Sequence, residues 1–289
     1  MIIDFSNWRE YEGFSEGSGR SEKTWLVNPE NGEVGLFKYT KTEYTTEHIS
    51  EKLAKDISKK VDIDCMKVDL GKYNSRIGSL SYKINQNGES LIEGIQLITK
   101  YYHHYDENTL YDKKEGEYYS FYMIIKALQE YDFKKDFFKM LILDFLIGNT
   151  DRHHSNWAIL QKGKKYRFCP LYDNSSSLCC YIRDENIDNY LGNDKLRFMA
   201  LVDSKSTSRI RIDRHLKKEP SHLKVMEFLY KNHYSAVIGT VKKAVNALDE
   251  KAIIELVEQF NQILSKKRRR LIMRFLLEKL KLLRNQFDL

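Results

Sequence analysis

The sequence has few cysteines, and none is spaced for a disulfide framework or a zinc site. The four are Cys65, Cys169, Cys179 and Cys180, and no C-x-x-C pair occurs. So few cysteines without paired spacing are typical of a cytoplasmic protein with reduced thiols. Cys169 is expected to pack in a buried strand. The H-E-x-x-H string of zinc enzymes is also missing, so the histidines of 101–106 are interpreted as a polar aromatic surface.

Long hydrophobic runs are absent as well. No segment approaches the length of a membrane-spanning helix, and Asp4 and Arg9 interrupt the apolar N-terminal segment, which does not resemble a signal peptide. We therefore expect a cytoplasmic protein without membrane contact. The 289 residues are 42% hydrophobic and 12% aromatic, which is a globular composition and enough chain for two lobes.

The usual phosphate-binding strings are missing too. The sequence contains neither the G-K-S/T of a Walker A loop nor G-x-G-x-x-G. A glycine- and serine-rich run at 13–21 precedes a strand-like segment, and its glycines would let backbone amides approach phosphate oxygens. Taken alone, such a run is more often an ordinary turn.

The segment around residues 121–173 carries the most information. Apolar residues at helical spacing predict a helix over 121–147, which Gly148 ends. A polar run follows, and 157–160 and 166–171 are predicted as two short strands joined by a basic turn at Gly163.

Asp151, Asn156 and Asp173 have the order and spacing of a phosphoryl-transfer site. An Asp begins the polar loop, an Asn follows five residues later, and a second Asp comes directly after the strand pair. In such sites one Asp orients the acceptor hydroxyl, while the Asn and the other Asp hold magnesium through hard oxygen ligands. The alternative is that these residues merely form turns and caps.

Two strings here, N-T-D-R-H-x-x-N at 149–156 and P-L-Y-D-x-x-S at 170–176, resemble the catalytic core of HipA-like serine/threonine kinases. The His-Arg-Asp and Asp-Phe-Gly strings of ordinary eukaryotic-type kinases are absent. The resemblance implies that Asp151 is the catalytic aspartate and that Asn156 and Asp173 are the magnesium ligands.

The same resemblance implies supporting roles for three further residues. His153 belongs to the catalytic set and supports the loop together with Asp144, and Ser176 makes a structural contact.

In the N-terminal part, G-x-x-E-K-T-x-L at 19–26 is similar to the phosphate-loop region of that family. The resemblance implies contact with the nucleotide by Gly17, Ser18, Gly19, Arg20 and Ser21. Autophosphorylation of this loop is an inactivating switch in the family, because phosphate there would repel the nucleotide phosphates. The candidates in this sequence are Ser15, Ser18 and Ser21.

Lys38 is predicted to pair with the phosphates. It lies in the apolar strand 35–39, where an amine needs a charge partner or an anion. The helix predicted at 45–59 supplies Glu51, in a string similar to the S-E-x-x-A of the family, and we expect Glu51 to be that partner. Glu47, one turn away, is the alternative, and so is a solvated surface position for Lys38.

The resemblance implies an α+β, two-lobed protein-kinase-like fold. A small β-rich N-lobe would span 1–94 and a larger helical C-lobe 95–289. Strands at 65–73 and 76–82 would complete the N-lobe sheet, and 83–92 would form the hinge beside adenine. The chain would then be a minimal form that lacks the extra N-terminal subdomain of full-length members.

The chain is basic, with a net charge of +7 and a pI near 8.9. The cationic run 265–270 continues into an amphipathic helix, so we expect a solvated helix face without direct nucleic-acid binding. A polyanion contact is the alternative. Residues 174–220 occupy the position of an activation or substrate-binding segment.

Together these features predict an ATP- and magnesium-dependent serine/threonine protein kinase resembling HipA toxins, able to autophosphorylate. The family resemblance implies a protein substrate, such as an aminoacyl-tRNA synthetase or a host protein, and a helix-turn-helix antitoxin as partner. Two alternatives stay open. One is an ATP-binding pseudokinase or antitoxin-binding module, and the other is a small-molecule kinase on the same fold.

Overall fold

A computed structural model describes residues 2–12, 22–40, 44–85 and 88–289 of the chain. Its strands are β1 Ile3–Asp4, β2 Arg9–Glu10, β3 Lys23–Val27, β4 Val34–Tyr39, β5 Val68–Tyr73, β6 Arg76–Tyr82, β7 Ser90–Glu93, β8 Tyr105–Asp106, β9 Tyr111–Asp112, β10 Glu117–Tyr118, β11 Ala158–Lys162 and β12 Lys165–Phe168. Its α-helices are α1 Glu47–Val61, α2 Gly94–Thr99, α3 Phe121–Ala127, α4 Lys134–Ile147, α5 Asp188–Leu191, α6 Lys195–Val202, α7 His222–Ala247, α8 Glu250–Glu258 and α9 Lys266–Phe287. The architecture is thus a sheet-rich N-terminal part followed by a helical part.

The N-terminal part is a six-stranded sheet in the order β1-β5-β6-β4-β3-β2. Only the short β1–β5 pair is parallel, and the other neighbours are antiparallel. The predicted turn at 74–75 joins β5 to β6, and both of its residues adopt positive φ. One face of the sheet carries an aromatic-rich core made of Phe5, Trp8, Leu26, Phe37, Tyr73 and Leu80.

Strand alternation gives Lys38 its direction. Phe37 is fully buried in the aromatic core, so its neighbour Lys38 projects from the opposite face of β4. That face is covered by α1, whose apolar side consists of Ile49, Leu53, Ala54, Ile57 and Val61. Lys38 therefore points into the space between the sheet and the rest of the molecule.

The helical part is built around α4, which packs against α7 and α9. Every residue of α4 from Met140 to Ile147 is buried, and Gly148 ends the helix with a left-handed φ of 66° as predicted. A Cβ at Gly148 would lie 2.7 Å from the Phe275 ring, so both the backbone conformation and the close approach call for glycine.

The single helix predicted over 121–147 is two helices, α3 and α4, and the prediction is wrong between them. The break contains Glu130, which accepts hydrogen bonds from Lys100 Nζ and from the Tyr101 hydroxyl, each at 2.6 Å. Ser120 caps α3 through a bond from Met123 N. Tertiary contacts thus override a continuous helical pattern.

The segment predicted as a hinge contributes β7, which pairs with β11 rather than with the N-terminal sheet. β11 also pairs with β12, so the predicted strand pair is confirmed with slightly different ends. Beyond β12, Leu171 forms a bridge to Cys65 and exchanges backbone hydrogen bonds with Asp64 and Met66. This anchors the chain two residues before Asp173. The lobe boundary near Gly94 stays a prediction.

The cationic run at the start of α9 is not simply a solvated face, which corrects the expectation for Arg268. That side chain is 1% exposed and donates to Asp184 Oδ1 and to the carbonyl oxygens of Cys179 and Ile182. Arg269 donates to Glu258. These cations therefore fasten α9 to neighbouring segments. Within the described residues, no helix combines the length and apolarity needed to cross a membrane.

Candidate active site

One cleft collects residues that the sequence predicted for catalysis and magnesium binding. Its volume is about 410 Å³, and its wall includes Lys38, Glu51, Asp151, Asn156 and Asp173. These five residues come from β4, from α1, from the loop after α4 and from the segment after β12. The tertiary fold brings β4 and α1 to the later segments, because these two elements are far from Asp151, Asn156 and Asp173 in sequence.

Lys38 and Asp173 form an ion pair across this cleft. Lys38 Nζ lies 2.8 Å from Asp173 Oδ1. Burial opposes the charge of Lys38, but the carboxylates of Asp173 and Glu51 outweigh it and raise the lysine pKa. The ammonium group in turn lowers the pKa of Asp173 to about 2, against the effect of burial. Both groups are charged, and the ammonium supplies the positive charge that a metal ion would bring to Asp173.

The sequence predicted Glu51 as the charge partner of Lys38; the charge of Glu51 does act on Lys38, but Asp173 forms the direct ion pair. Lys38 donates its hydrogen bond to Asp173. Glu51 Oε1 accepts a bond from Asn174 N at 3.0 Å. Burial raises the pKa of Glu51, and the charge of Lys38 opposes that rise. Glu51 thus acts on Lys38 only through its charge and holds the backbone next to Asp173.

Asp151 sits in a loop whose backbone is fixed from several sides. Its N–H donates to Asn149 Oδ1 at 3.1 Å, and its carbonyl accepts from His153 N and from Asn156 Nδ2. The Asp151 side chain is 41% exposed. His153 also lines the cleft, and its Nδ1 accepts from Ser155 N, which tightens the same turn. The carboxylate of Asp151 is therefore presented to the cleft on a rigid loop.

The side-chain chemistry at Asn156 and Asp173 fits magnesium. Asn156 is buried, and its Nδ2 donates to the Asp151 carbonyl at 2.7 Å, so Oδ1 is the amide atom left for another partner. An amide oxygen and a carboxylate are ligands that magnesium accepts. Two protein ligands leave other coordination positions to water and phosphate oxygens, which is usual where magnesium accompanies a nucleotide.

Arg152 is the important site residue that the sequence analysis missed. It is 1% exposed and donates to Asp144 through Nε and Nη2, to the carbonyls of Asn156 and Tyr172 through Nη1, and to Asn174 Oδ1. It therefore ties the catalytic loop to both sides of Asp173. The available signal was Asp144, a carboxylate inside the apolar run of α4, which needs a cation to be buried.

Asp173 has a left-handed backbone, with φ of 52°. A non-glycine residue in this region costs roughly 1–3 kcal/mol and persists only where its surroundings hold it. Here Arg152 holds the Tyr172 carbonyl at 2.7 Å on one side, and Glu51 and Arg152 hold Asn174 on the other. The strained turn aims the Asp173 carboxylate at Lys38.

The remaining predicted site residues are those of the phosphate loop and Ser176. Gly17, Ser18, Gly19, Arg20 and Ser21, together with the autophosphorylation candidate Ser15, fall outside the described residues. Ser176 is beside the catalytic loop, since its carbonyl accepts from Thr150 N at 3.0 Å.

Comparison with known proteins identifies the family of the chain. Residues 15–248 match the family described as HipA-like C-terminal domain, and the chain belongs to that family. The serine/threonine-protein kinase CtkA of Helicobacter pylori is 25% identical over 153 residues, which are 50% of this chain and 44% of that protein. The match therefore spans less than half of the length of that relative.

Two solved structures resemble the fold. The crystal structure of the Helicobacter pylori proinflammatory kinase CtkA superposes with a TM-score of 0.83 and 17% identity, over 100% of this chain and 99% of that one. HipA of Shewanella oneidensis, solved with HipB and operator DNA, gives a TM-score of 0.58 and 12% identity, over 96% of this chain and 68% of HipA. The predicted α+β, kinase-like fold is confirmed.

Proposed function

We propose that the chain is an ATP- and magnesium-dependent serine/threonine protein kinase. The observation that carries the proposal is the convergence of Lys38, Asp151, Asn156 and Asp173 on one cleft. Membership of the HipA-like family and the similarity to a protein named as a serine/threonine kinase support it. The division into an N-lobe at 1–94 and a C-lobe at 95–289 is part of the proposal.

The proposed reaction assigns one task to each side chain. Asn156 and Asp173 would hold magnesium, which when bound neutralises phosphate oxygens and aligns the γ-phosphate. Lys38 would bind the nucleotide phosphates, where its ammonium group balances their negative charge. Asp151 accepts the proton of a serine or threonine hydroxyl as the new O–P bond forms. The bond from the γ-phosphorus to the β–γ bridging oxygen breaks, and ADP leaves.

Regulation and partners extend the same proposal. We place the phosphate loop at 13–21, with Ser15, Ser18 and Ser21 as candidates for a self-inactivating phosphorylation. A toxin role with a helix-turn-helix antitoxin is supported by the similarity to HipA, which was solved together with HipB. A protein acceptor, either an aminoacyl-tRNA synthetase or a host protein, completes the proposal.

The test is the intact mass of the purified chain after incubation with ATP and magnesium. Asp151→Ala should lower phosphate incorporation by roughly 10²–10⁴-fold and keep ATP binding, since it removes only the proton acceptor. Asp173→Ala should lose both phosphate incorporation and magnesium-dependent ATP binding. Asp132→Ala, at an exposed position that does not line the cleft, is the control and should match the wild type.

Three results would contradict the proposal, and each would indicate a different alternative. Equal phosphate incorporation in the wild type and both active-site variants would exclude this site. ATP binding without transfer in the wild type would indicate a pseudokinase or antitoxin-binding module. ATP consumption with one metabolite alcohol and no protein acceptor would indicate a small-molecule kinase.

A further inference from the structure

Asp151 lies between two cavities. The cleft described above is on one side, and a second cavity of about 370 Å³ is on the other. Among the described residues, only Asp151 and His153 line both cavities. The residues that line only the second cavity are Glu107, Asn108, Leu110, His154 and Arg209. The Asp151 carboxylate is therefore accessible at the place where the two cavities meet.

The two cavities differ in chemistry. Lys38, Asn156 and Asp173, the side chains suited to phosphate and magnesium, line only the first. In-line transfer brings the acceptor hydroxyl to the γ-phosphate from the side opposite the leaving ADP. The second cavity offers an approach to Asp151 of this kind, because it shares that carboxylate with the cleft and contains none of the three side chains suited to phosphate and magnesium.

Arg209, which lines the second cavity, pairs with the carboxylate of Asp151. Its Nη2 lies 3.4 Å from Asp151 Oδ1, and its Nη1 donates to Glu219 Oε1 at 3.1 Å. The buried Nε has no hydrogen-bond partner within the described part of the chain. An unpaired buried donor is unfavourable. The ion pair with Asp151 therefore contributes to holding this guanidinium in its position.

The loop that carries Arg209 is held firmly. Ser208 N donates to the Pro220 carbonyl at 2.9 Å, and Arg211 N donates to the Tyr119 carbonyl at 3.2 Å. The two anchors flank Arg209 on either side. A rigid support of this kind is what a residue needs in order to fix the geometry of another side chain.

We propose that the second cavity binds the acceptor polypeptide beside its serine or threonine, and that Arg209 is the positioning residue for Asp151. This inference rests on the proposed kinase function. Arg209 pairs with the carboxylate of Asp151 on the side of Oδ1, and Oδ2 is then the oxygen that receives the acceptor hydroxyl. Glu219 holds the guanidinium of Arg209 in place through its bond from Nη1.

The positioning role is tested by Arg209→Met and Arg209→Lys. The control is Arg214→Met, because Arg214 has similar exposure, is on the same loop, pairs with Glu117 at 3.0 Å and lines neither cavity. The readouts are kcat for phosphate transfer to dephosphorylated casein, the Kd for ATP with magnesium, and the melting temperature.

We expect Arg209→Met to lower kcat at least 10-fold, with Kd for ATP within 2-fold of the wild type and Tm close to that of Arg214→Met. Arg209→Lys should recover part of the lost kcat, because an ammonium still reaches the carboxylate. Wild-type kcat in Arg209→Met, or a parallel loss of kcat, ATP binding and Tm, would overturn the positioning role.

The acceptor cavity is tested separately by Asn108→Trp, with Thr109→Trp as its matched control. Both residues are exposed neighbours on one turn, but only Asn108 lines the cavity. The indole at 108 should raise the KM for casein at least 5-fold and leave kcat and ATP binding unchanged. Equal KM values for the two variants would overturn the cavity assignment. Absence of transfer by the wild type, to itself or to casein, would overturn the kinase function and this inference with it.

Discussion

Arg152 and Asp144 form an ion pair in which both side chains are buried, with 2.8 Å between Nη2 and Oδ1. The pair joins the last turns of α4 to the catalytic loop. Asp144 Oδ1 also accepts a hydrogen bond from Asn149 Nδ2, and the Asp144 carbonyl oxygen accepts one from the Asn149 backbone N–H. The nearby charge of Asp144 outweighs the cost of burial and raises the pKa of Arg152. A charged network, rather than apolar packing alone, therefore fixes the site.

Arg152→Met should destabilise the protein strongly. The substitution leaves the Asp144 carboxylate buried without its cation, and breaking such a pair costs about 3–5 kcal/mol. Urea unfolding measures the loss. Lys67→Met is the control, because Lys67 pairs with Glu33 at the surface, where 53% and 44% of the two side chains are exposed. We expect that variant to lose about 1 kcal/mol or less. Equal losses in the two variants would contradict the role of Arg152.

Much of the site could be predicted because its residues are close together in sequence. Asp151 and Asn156 share one loop, and the strand pair before Asp173 follows from short apolar segments around Gly163. Gly148 marked the helix end through ordinary capping chemistry. Such local signals hold in the folded protein, because they depend on few distant contacts.

Contacts between distant segments could not be predicted in the same way. Whether Lys38 pairs with Glu51 or with Asp173 depends on how α1 and the segment after β12 meet, and sequence spacing does not encode this. The burial of Arg268 similarly depends on carbonyl groups of the segment 179–184. The break between α3 and α4 depends on bonds from the residues that follow α2.

Lys38→Met should affect magnesium and ATP in opposite directions. In the absence of nucleotide, the Lys38 ammonium competes with a metal ion for Asp173, so its removal should strengthen binding of magnesium alone. ATP with magnesium should bind more weakly, because a phosphate contact is lost. Isothermal titration with magnesium chloride, and then with ATP and magnesium, measures both changes.

Lys52→Met is the control for that experiment. Lys52 pairs with Asp56 on α1 and does not line the cleft. The two affinities should match those of the wild type. If Lys38→Met bound magnesium alone no more tightly than Lys52→Met did, the competition described here would be excluded.

Lys279 should make stability depend on pH. This side chain of α9 is fully buried, donates to Ser206 Oγ at 2.9 Å, and lies against the Phe145 and Phe275 rings. Burial lowers its pKa from 10.5 to about 7, and the charge of Asp203 opposes the shift. Between these two values the unfolded chain binds the proton more strongly than the folded chain. The free energy of unfolding should therefore rise with pH from about 7 to 10.5.

Urea unfolding over that pH range measures the effect, and Lys279→Met should remove the part of the slope that comes from this group. Lys281→Met, at a side chain that is 66% exposed, should keep the wild-type slope. A wild-type slope in Lys279→Met would show that Lys279 titrates alike in the folded and unfolded states.

Gly148→Ala should cost more than the backbone conformation alone explains. Gly148 and Gly163 have similar left-handed φ values of 66° and 60°, so alanine meets the same conformational penalty at both, about 1–2 kcal/mol. At Gly148 the new methyl would lie 2.7 Å from Phe275, whereas at Gly163 no atom of the described residues lies within 4 Å of a Cβ. Urea unfolding gives the loss of unfolding free energy in each variant. The difference between the two losses measures the steric contact with Phe275, because the conformational penalty is the same in both. We expect Gly148→Ala to be the less stable by about 1–3 kcal/mol, the usual cost of overpacking a core. Equal losses would mean that the Phe275 ring moves aside without cost.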